Sequence, residues 1–157
     1  VAKRVAVVGS REGANEQHVR SFLTDLYAKY PDAVLVSGGA VGVDTIAETH
    51  WLGLGGRVKS YRPAAGSFES DPSGKVRVTS WYIEVWELGG DNQMVYPLQN
   101  FPTFENYKSA CLARDTLISE DSDPIVSFQR PGGSRGASFT LEWREDVDGK
   151  RRFRYGA

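Results

Sequence analysis

The sequence predicts an α/β three-layer sandwich around a mainly parallel sheet, with a β-hairpin inserted in it. Three observations carry this expectation. Short, β-branched apolar runs are followed by glycine-rich segments and then by apolar residues at helical spacing. That strand–glycine–helix unit occurs three times, which argues for parallel strands joined by crossover helices. Between the second and third units lies an alternating, β-forming stretch that belongs to neither.

Lys3 to Val8 is nearly continuous in apolar character, as in a strand buried on both faces. It ends in Gly9-Ser10-Arg11-Glu12-Gly13. Asn15 is then placed to cap a helix whose face is Val19, Phe22, Leu23, Leu26, Tyr27 and Tyr30, stopped by Pro31-Asp32. Ala33 to Val36 is the second strand, running into Ser37-Gly38-Gly39-Ala40-Val41-Gly42-Val43-Asp44. A second helix follows, with Val43, Ile46, Ala47, His50, Trp51 and Leu54 on one side and glycines at its end. Arg57 to Tyr61 reads as a third strand and residues 63–74 as a loop. Lys75 to Leu88 alternates, Gly89-Gly90-Asp91-Asn92 signals a turn, and Gln93 to Leu98 forms a return strand. Phe104 to Ser119 returns to helical spacing with Thr103 as cap, and Phe104, Tyr107, Cys111, Leu112 and Ile118 inward. Pro124 to Phe128 is a short strand leading to Pro131-Gly132-Gly133-Ser134-Arg135-Gly136 and a helix through about Trp143. Lys150 to Tyr155 forms an edge strand. One domain over residues 1–157 is expected, with the hairpin insertion at about 67–102.

Composition excludes several classes. Net charge is -1, from 19 Lys+Arg against 20 Asp+Glu, so nucleic acid is an unlikely partner by bulk charge. One cysteine, Cys111, excludes an internal disulfide and a cysteine zinc cluster, and with only His18 and His50 no metal site or cofactor is expected. No apolar run approaches a membrane span, so the expected location is cytosolic.

Ligands of open parallel sheets bind beyond the carboxyl ends of the strands. All three glycine-rich segments fall there, each leading into a helix whose start offers unpaired amides and a positive dipole end. The expected site is therefore an anion-binding crevice. Its candidate residues are Gly9, Ser10, Arg11, Ser37, Gly38, Gly39, Gly42, Asp44, Arg114, Gly132, Gly133, Ser134, Arg135, Gly136 and Thr140. The segments match neither the P-loop pattern nor the dinucleotide-binding fingerprint.

The Val7-Val8-Gly9-Ser10-Arg11 opening, the Ser37–Asp44 segment, the helix with Arg114 and the Pro131–Gly136 segment stand in the order seen in the SLOG superfamily. The chain resembles that group of Rossmann-like proteins, which includes the Lonely-guy phosphoribohydrolases and the DprA core. It is most similar to small bacterial and phage members that open on Gly-Ser-Arg. The resemblance covers residues 3–62 and 104–143 and implies a nucleotide-derived ligand held by the three loops, in a sensor or carrier. A first alternative is cleavage of the N-glycosidic bond of a nucleoside 5′-monophosphate, with Arg114 and Glu142 as the catalytic candidates. Thr140 stands where the family's glutamate falls, and Glu142 is turned from it by roughly 200° on a helix. A second alternative is single-stranded nucleic-acid binding, as in DprA.

Each residue also has a plainer role. Asp44 can interact with the helix dipole or accept from a ribose hydroxyl. Arg114 can hold a ligand or form a surface ion pair with Asp115. Cys111 and His50 read as packing residues and His18 as exposed. On the hairpin, Trp81, Ile83 and Val85 share one face, and Val76, Val78, Tyr82 and Trp86 the other. The expectation is that one face packs on the domain and the other meets a second copy in a homodimer or larger oligomer. The alternative is that Trp86 or Tyr82 stacks on a base. The basic tail from Lys150 to Arg154 reads as a solvated strand.

Overall fold

Val5 to Val8 form the centre of the molecule because they have apolar side chains on both faces of a strand, and both faces are covered. The structure is a computed structural model and describes residues 3–91 and 93–129 and the strand Arg152–Tyr155. Its elements in chain order are β1 (Arg4–Gly9), α1 (Glu16–Lys29), β2 (Val34–Ser37), α2 (Val43–Gly53), β3 (Arg57–Ser70), β4 (Val76–Leu88), β5 (Met94–Pro97), α3 (Tyr107–Asp121), β6 (Ile125–Phe128) and β7 (Arg152–Tyr155). The strands make a seven-stranded sheet in the order β5-β4-β3-β2-β1-β6-β7. β1, β2, β3, β6 and β7 run parallel, whereas β4 pairs antiparallel with both β3 and β5. The strand order reverses at β1, which lies between β2 and β6.

Alternate residues of β1 enter two cores. Val5 and Val7 pack with Val19 and Leu23 of α1 and with Val43, Ala47 and Trp51 of α2. Ala6 and Val8 pack on the opposite face with Ala110 and Ile118 of α3 and with Tyr61, Ile83 and Val85 of the hairpin. This is the expected three-layer sandwich. The Asn15 side chain accepts from the His18 backbone N–H at 3.2 Å, as its position before α1 foretold. α3 starts later than expected: Asn106, not Thr103, caps it by accepting from the Ser109 N–H at 2.8 Å. Ile118 is buried and Phe104 packs on the core as expected, but Cys111 and Leu112 are half-buried, Tyr107 is exposed, and Ala110, Arg114, Asp115 and Ser119 are buried instead. The strand read from the tail is present over Arg152–Tyr155, with β7 parallel to β6 at the edge of the described sheet.

The larger difference lies in residues 63–70, which continue β3 instead of forming a loop. Proline and glycine suggested a break. Beyond Ser60, however, β2 has ended and β3 is paired only with β4. Proline is tolerated on such an edge, and Gly66 falls at a register shift between Ala65 and Ser67. β3 and β4 thus project together past the ends of β1 and β2. Among the described residues no helix is long and apolar enough to cross a membrane.

Gly9 ends β1 where the backbone of β6 comes closest. A Cβ there would lie 2.1 Å from the Phe128 carbonyl oxygen and 2.6 Å from Val43 Cγ2. Neither the sheet backbone nor the start of α2 can move aside cheaply. Gly9→Ala should therefore lower the unfolding free energy by about 3 kcal/mol, read from urea denaturation curves. An unchanged midpoint would contradict this packing.

Candidate functional site

β1 and β2 run parallel, so their following loops meet at one edge of the sheet. Gly42 has φ +97°, and a Cβ on it would lie 2.4 Å from the carbonyl oxygens of Ser10 and Arg11. The first loop therefore rests on the second. The Val43 N–H at the start of α2 donates to the Ser10 carbonyl at 3.1 Å, and the Ser10 N–H to the Phe128 carbonyl at 3.1 Å. Gly9, Ser10, Ser37, Gly38, Gly39, Gly42, Asp44 and Arg114 lie together at this edge, and Arg11 lies exposed beside them.

The amides expected to face an anion are largely engaged within the protein. Besides that of Val43, the Gly39 N–H donates to Ser37 Oγ at 3.3 Å and the Ala40 N–H to Asp44 Oδ2 at 3.2 Å. Asp44 thus shapes the loop from inside. Thr45 Oγ1 adds a bond to the Ala40 carbonyl at 2.8 Å.

Arg114 is buried and is not a surface residue. Its Nη1 donates to the Gly38 carbonyl at 2.6 Å and its Nε to Asp115 Oδ1 at 2.9 Å. Adjacent helical residues diverge at Cβ, yet the long arginine side chain folds back to its neighbour. Burial works against its charge, but Asp115 and Asp44 more than compensate and hold the guanidinium protonated above its ordinary range. Burial pushes Asp44 up to about 7, against the opposing pull of Arg114. Asp115 is likewise raised by burial to about 6.

Sequence reading missed the second half of this network. Glu48 lies one helical turn beyond Asp44 and is buried. Its Oε2 accepts from Ser37 Oγ at 2.7 Å and Ser60 Oγ at 3.3 Å, and its Oε1 from Arg62 Nη2 at 2.6 Å. The guanidinium of Arg62 stacks on the Trp86 ring, 4.3 Å from its centroid. The available signal was the Asp44–Glu48 pair at helical spacing on an apolar face, opposite the polar alternation of Ser60 and Arg62. On the other side of the sheet, the exposed ring of Tyr107 meets Trp81 edge-on at 4.8 Å. Tyr107 lies near Cys111, Arg114 and Arg11, and is raised by burial and by its bond to Cys111. His50 is half-buried, with Nε2 2.8 Å from Thr24 Oγ1, and takes no part.

Gly132, Gly133, Ser134, Arg135, Gly136, Thr140 and Glu142 lie outside the described residues. Among those described, no group of three or more His, Cys, Asp or Glu side chains could hold a metal ion.

The arrangement is a Rossmann-like α/β site at the carboxyl ends of parallel strands. Residues 3–51 match the family model described as YAcAr, the YspA, cpYpsA-related SLOG family. No curated protein matches the chain. Among solved structures, the chain is similar to DNA processing protein A (DprA) from Streptococcus pneumoniae, with 22% identity and a TM-score of 0.66 over 99% of this chain and 51% of that one. It is also similar to DNA processing protein A from Helicobacter pylori, with 22% identity and a TM-score of 0.62 over 97% of this chain and 64% of that one. The chain therefore spans about half the length of the first and under two thirds of the second. The match to the SLOG family model covers residues 3–51, and the fold is a mainly parallel Rossmann-like sandwich similar to that of DprA. The Helicobacter pylori structure is described for its single-stranded DNA binding mode. That comparison overturns the expectation, drawn from net charge, that nucleic acid is an unlikely partner for this fold.

The buried Asp44 gives a test of the site's electrostatics. Its folded pKa is raised from 3.8 to about 7, so the native state binds its proton more tightly than the unfolded chain. The stabilisation this brings is complete below the unfolded value and is lost as pH rises through 7. Asp44→Asn keeps an acceptor for the Ala40 N–H and has no such dependence. Between pH 4 and 8 the wild type should lose stability relative to this variant, on the order of 2–4 kcal/mol, in urea titrations. Parallel profiles would contradict the assignment.

Proposed function

We propose that this chain binds single-stranded nucleic acid along the carboxyl edge of β1 and β2 and the adjoining wall of β3 and β4. The carrying observation is the separation of charge at that edge. The acids Asp44, Glu48 and Asp115 are buried and engaged by backbone or arginine, whereas Arg11 is exposed and Arg62, paired with Glu48, is partly exposed over the Trp86 ring. A net charge of -1 counts buried and exposed groups alike, so it does not report which charges this edge presents. Guanidinium groups next to ring faces suit a ligand that alternates phosphates with bases.

The internal use of the Gly39, Ala40 and Val43 amides favours this reading over a mononucleotide sensor, since these donors are not presented to a lone phosphate. The fold shared with a DprA described for single-stranded DNA binding supports it further.

Fluorescence anisotropy with labelled oligo(dT), oligo(rU) and a duplex of equal length tests the proposal. Single strands should bind more tightly than duplex, with affinity falling linearly on a log–log salt plot. Arg11→Ala should weaken binding about equally across sequences and reduce the salt slope by roughly one. The proposal fails if no oligonucleotide binds at low salt, and nucleoside monophosphates raising the melting temperature would then restore the small-ligand reading.

A further inference from the structure

Three residues of β4 that share one face form a rail beside the glycine loop. Glu84 accepts from Tyr82 Oη at 2.9 Å through Oε2 and from Trp86 Nε1 at 3.2 Å through Oε1. One carboxylate thus anchors both rings by their polar edges and leaves their orientation little freedom. The rings belong to positions four residues apart, about 13 Å along a strand. Both are only partly buried. The rail faces the α2 side of the sheet, since Trp86 pairs with Ser60, which donates to Glu48.

Arg62 connects this rail to the crevice. It pairs with Glu84 across the strands, lies over the Trp86 ring and is tied at its other edge to Ser60 and Glu48. A Cβ on Gly39 would lie 2.3 Å from Arg62 Nε, so the loop and the arginine are in direct contact. Among the described residues, Trp86 belongs to neither apolar core. An indole held by its edge, with only a cation over its face, is suited to a flat, stacking partner.

Resting on the single-strand reading above, we infer that Tyr82, Glu84 and Trp86, with Arg62, form a nucleobase-stacking subsite that extends the crevice beyond one nucleotide. Arg62 occupies the Trp86 face until a base takes its place. The exchange slides Arg62 off the ring while its bonds to Ser60 and Glu48 are kept, since breaking them would strand a buried carboxylate. The guanidinium, still held by Glu48 beside the Gly39 loop, then lies close to the strand's phosphates. This subsite distinguishes an oligonucleotide from a nucleoside monophosphate by reach and tolerates any base, because every base has a stacking face.

The test measures binding of the full chain to a thymidylate hexamer and to the same hexamer carrying central abasic sites. Trp86→Ala should weaken hexamer binding about tenfold, whereas Trp86→Phe keeps a ring and should retain most of it. The wild type should lose about as much on the abasic strand, and Trp86→Ala should lose little more there. Equal binding of hexamer and abasic strand by the wild type overturns the inference, and needs no variant to fold. So does a Trp86→Ala variant with unchanged melting temperature and unchanged affinity. If those results come with an Arg11-dependent salt slope, only the subsite falls. If the wild type binds no hexamer at all, the single-strand reading falls with it.

Discussion

Removing charge from water is costly unless each charge finds a partner, and that constraint shapes the site. Asp44, Glu48, Arg114 and Asp115 are buried beneath a glycine loop that offers backbone groups at close range. Arg114 takes the Gly38 carbonyl, Asp44 takes the Ala40 N–H, and Glu48 reaches the loop through Ser37. The loop is held from inside by the charges it covers. Isolated surface ion pairs such as Arg77 with Glu69 do no comparable shaping, because water competes for both partners.

The second determinant is the length mismatch between β2 and β3. β2 ends at Ser37, opposite Ser60, while β3 continues to Ser70 with β4 alongside. The overhang turns an ordinary sheet edge into a wall beside the crevice. One side of that wall is used for folding, with Tyr61, Ile83 and Val85 in the core against α3. The other side holds Tyr82, Glu84 and Trp86, bonded to one another, and Arg62, which links the Trp86 ring to Glu48 of α2. The same alternation along a strand therefore separates the face that packs into the core from the face left partly exposed.

Much of the sheet was legible in advance. The β-branched runs around Val5 and Val36, the Asn15 cap and the apolar stripe of α1 follow from local periodicity, and the structure follows them. The projecting half of β3 was not legible, because Pro63 and Gly66 resemble loop residues until their position on an edge is known. The site was half legible. Glycines after strands marked the crevice, but the buried Glu48 resembled any charged residue on a helix, and net charge concealed where the arginines point.

Residue order alone sets which segments alternate at two and which at 3.6, and where the backbone needs glycine. Those are properties of a few neighbouring residues, so the strands, helices and turns could be read directly. Whether a given carboxylate is buried, which cation meets it, and which ring face stays accessible depend on segments far apart in the chain. Packing at the junction of β1, β2, α2 and α3 decides them, through the desolvation that only the assembled layers impose.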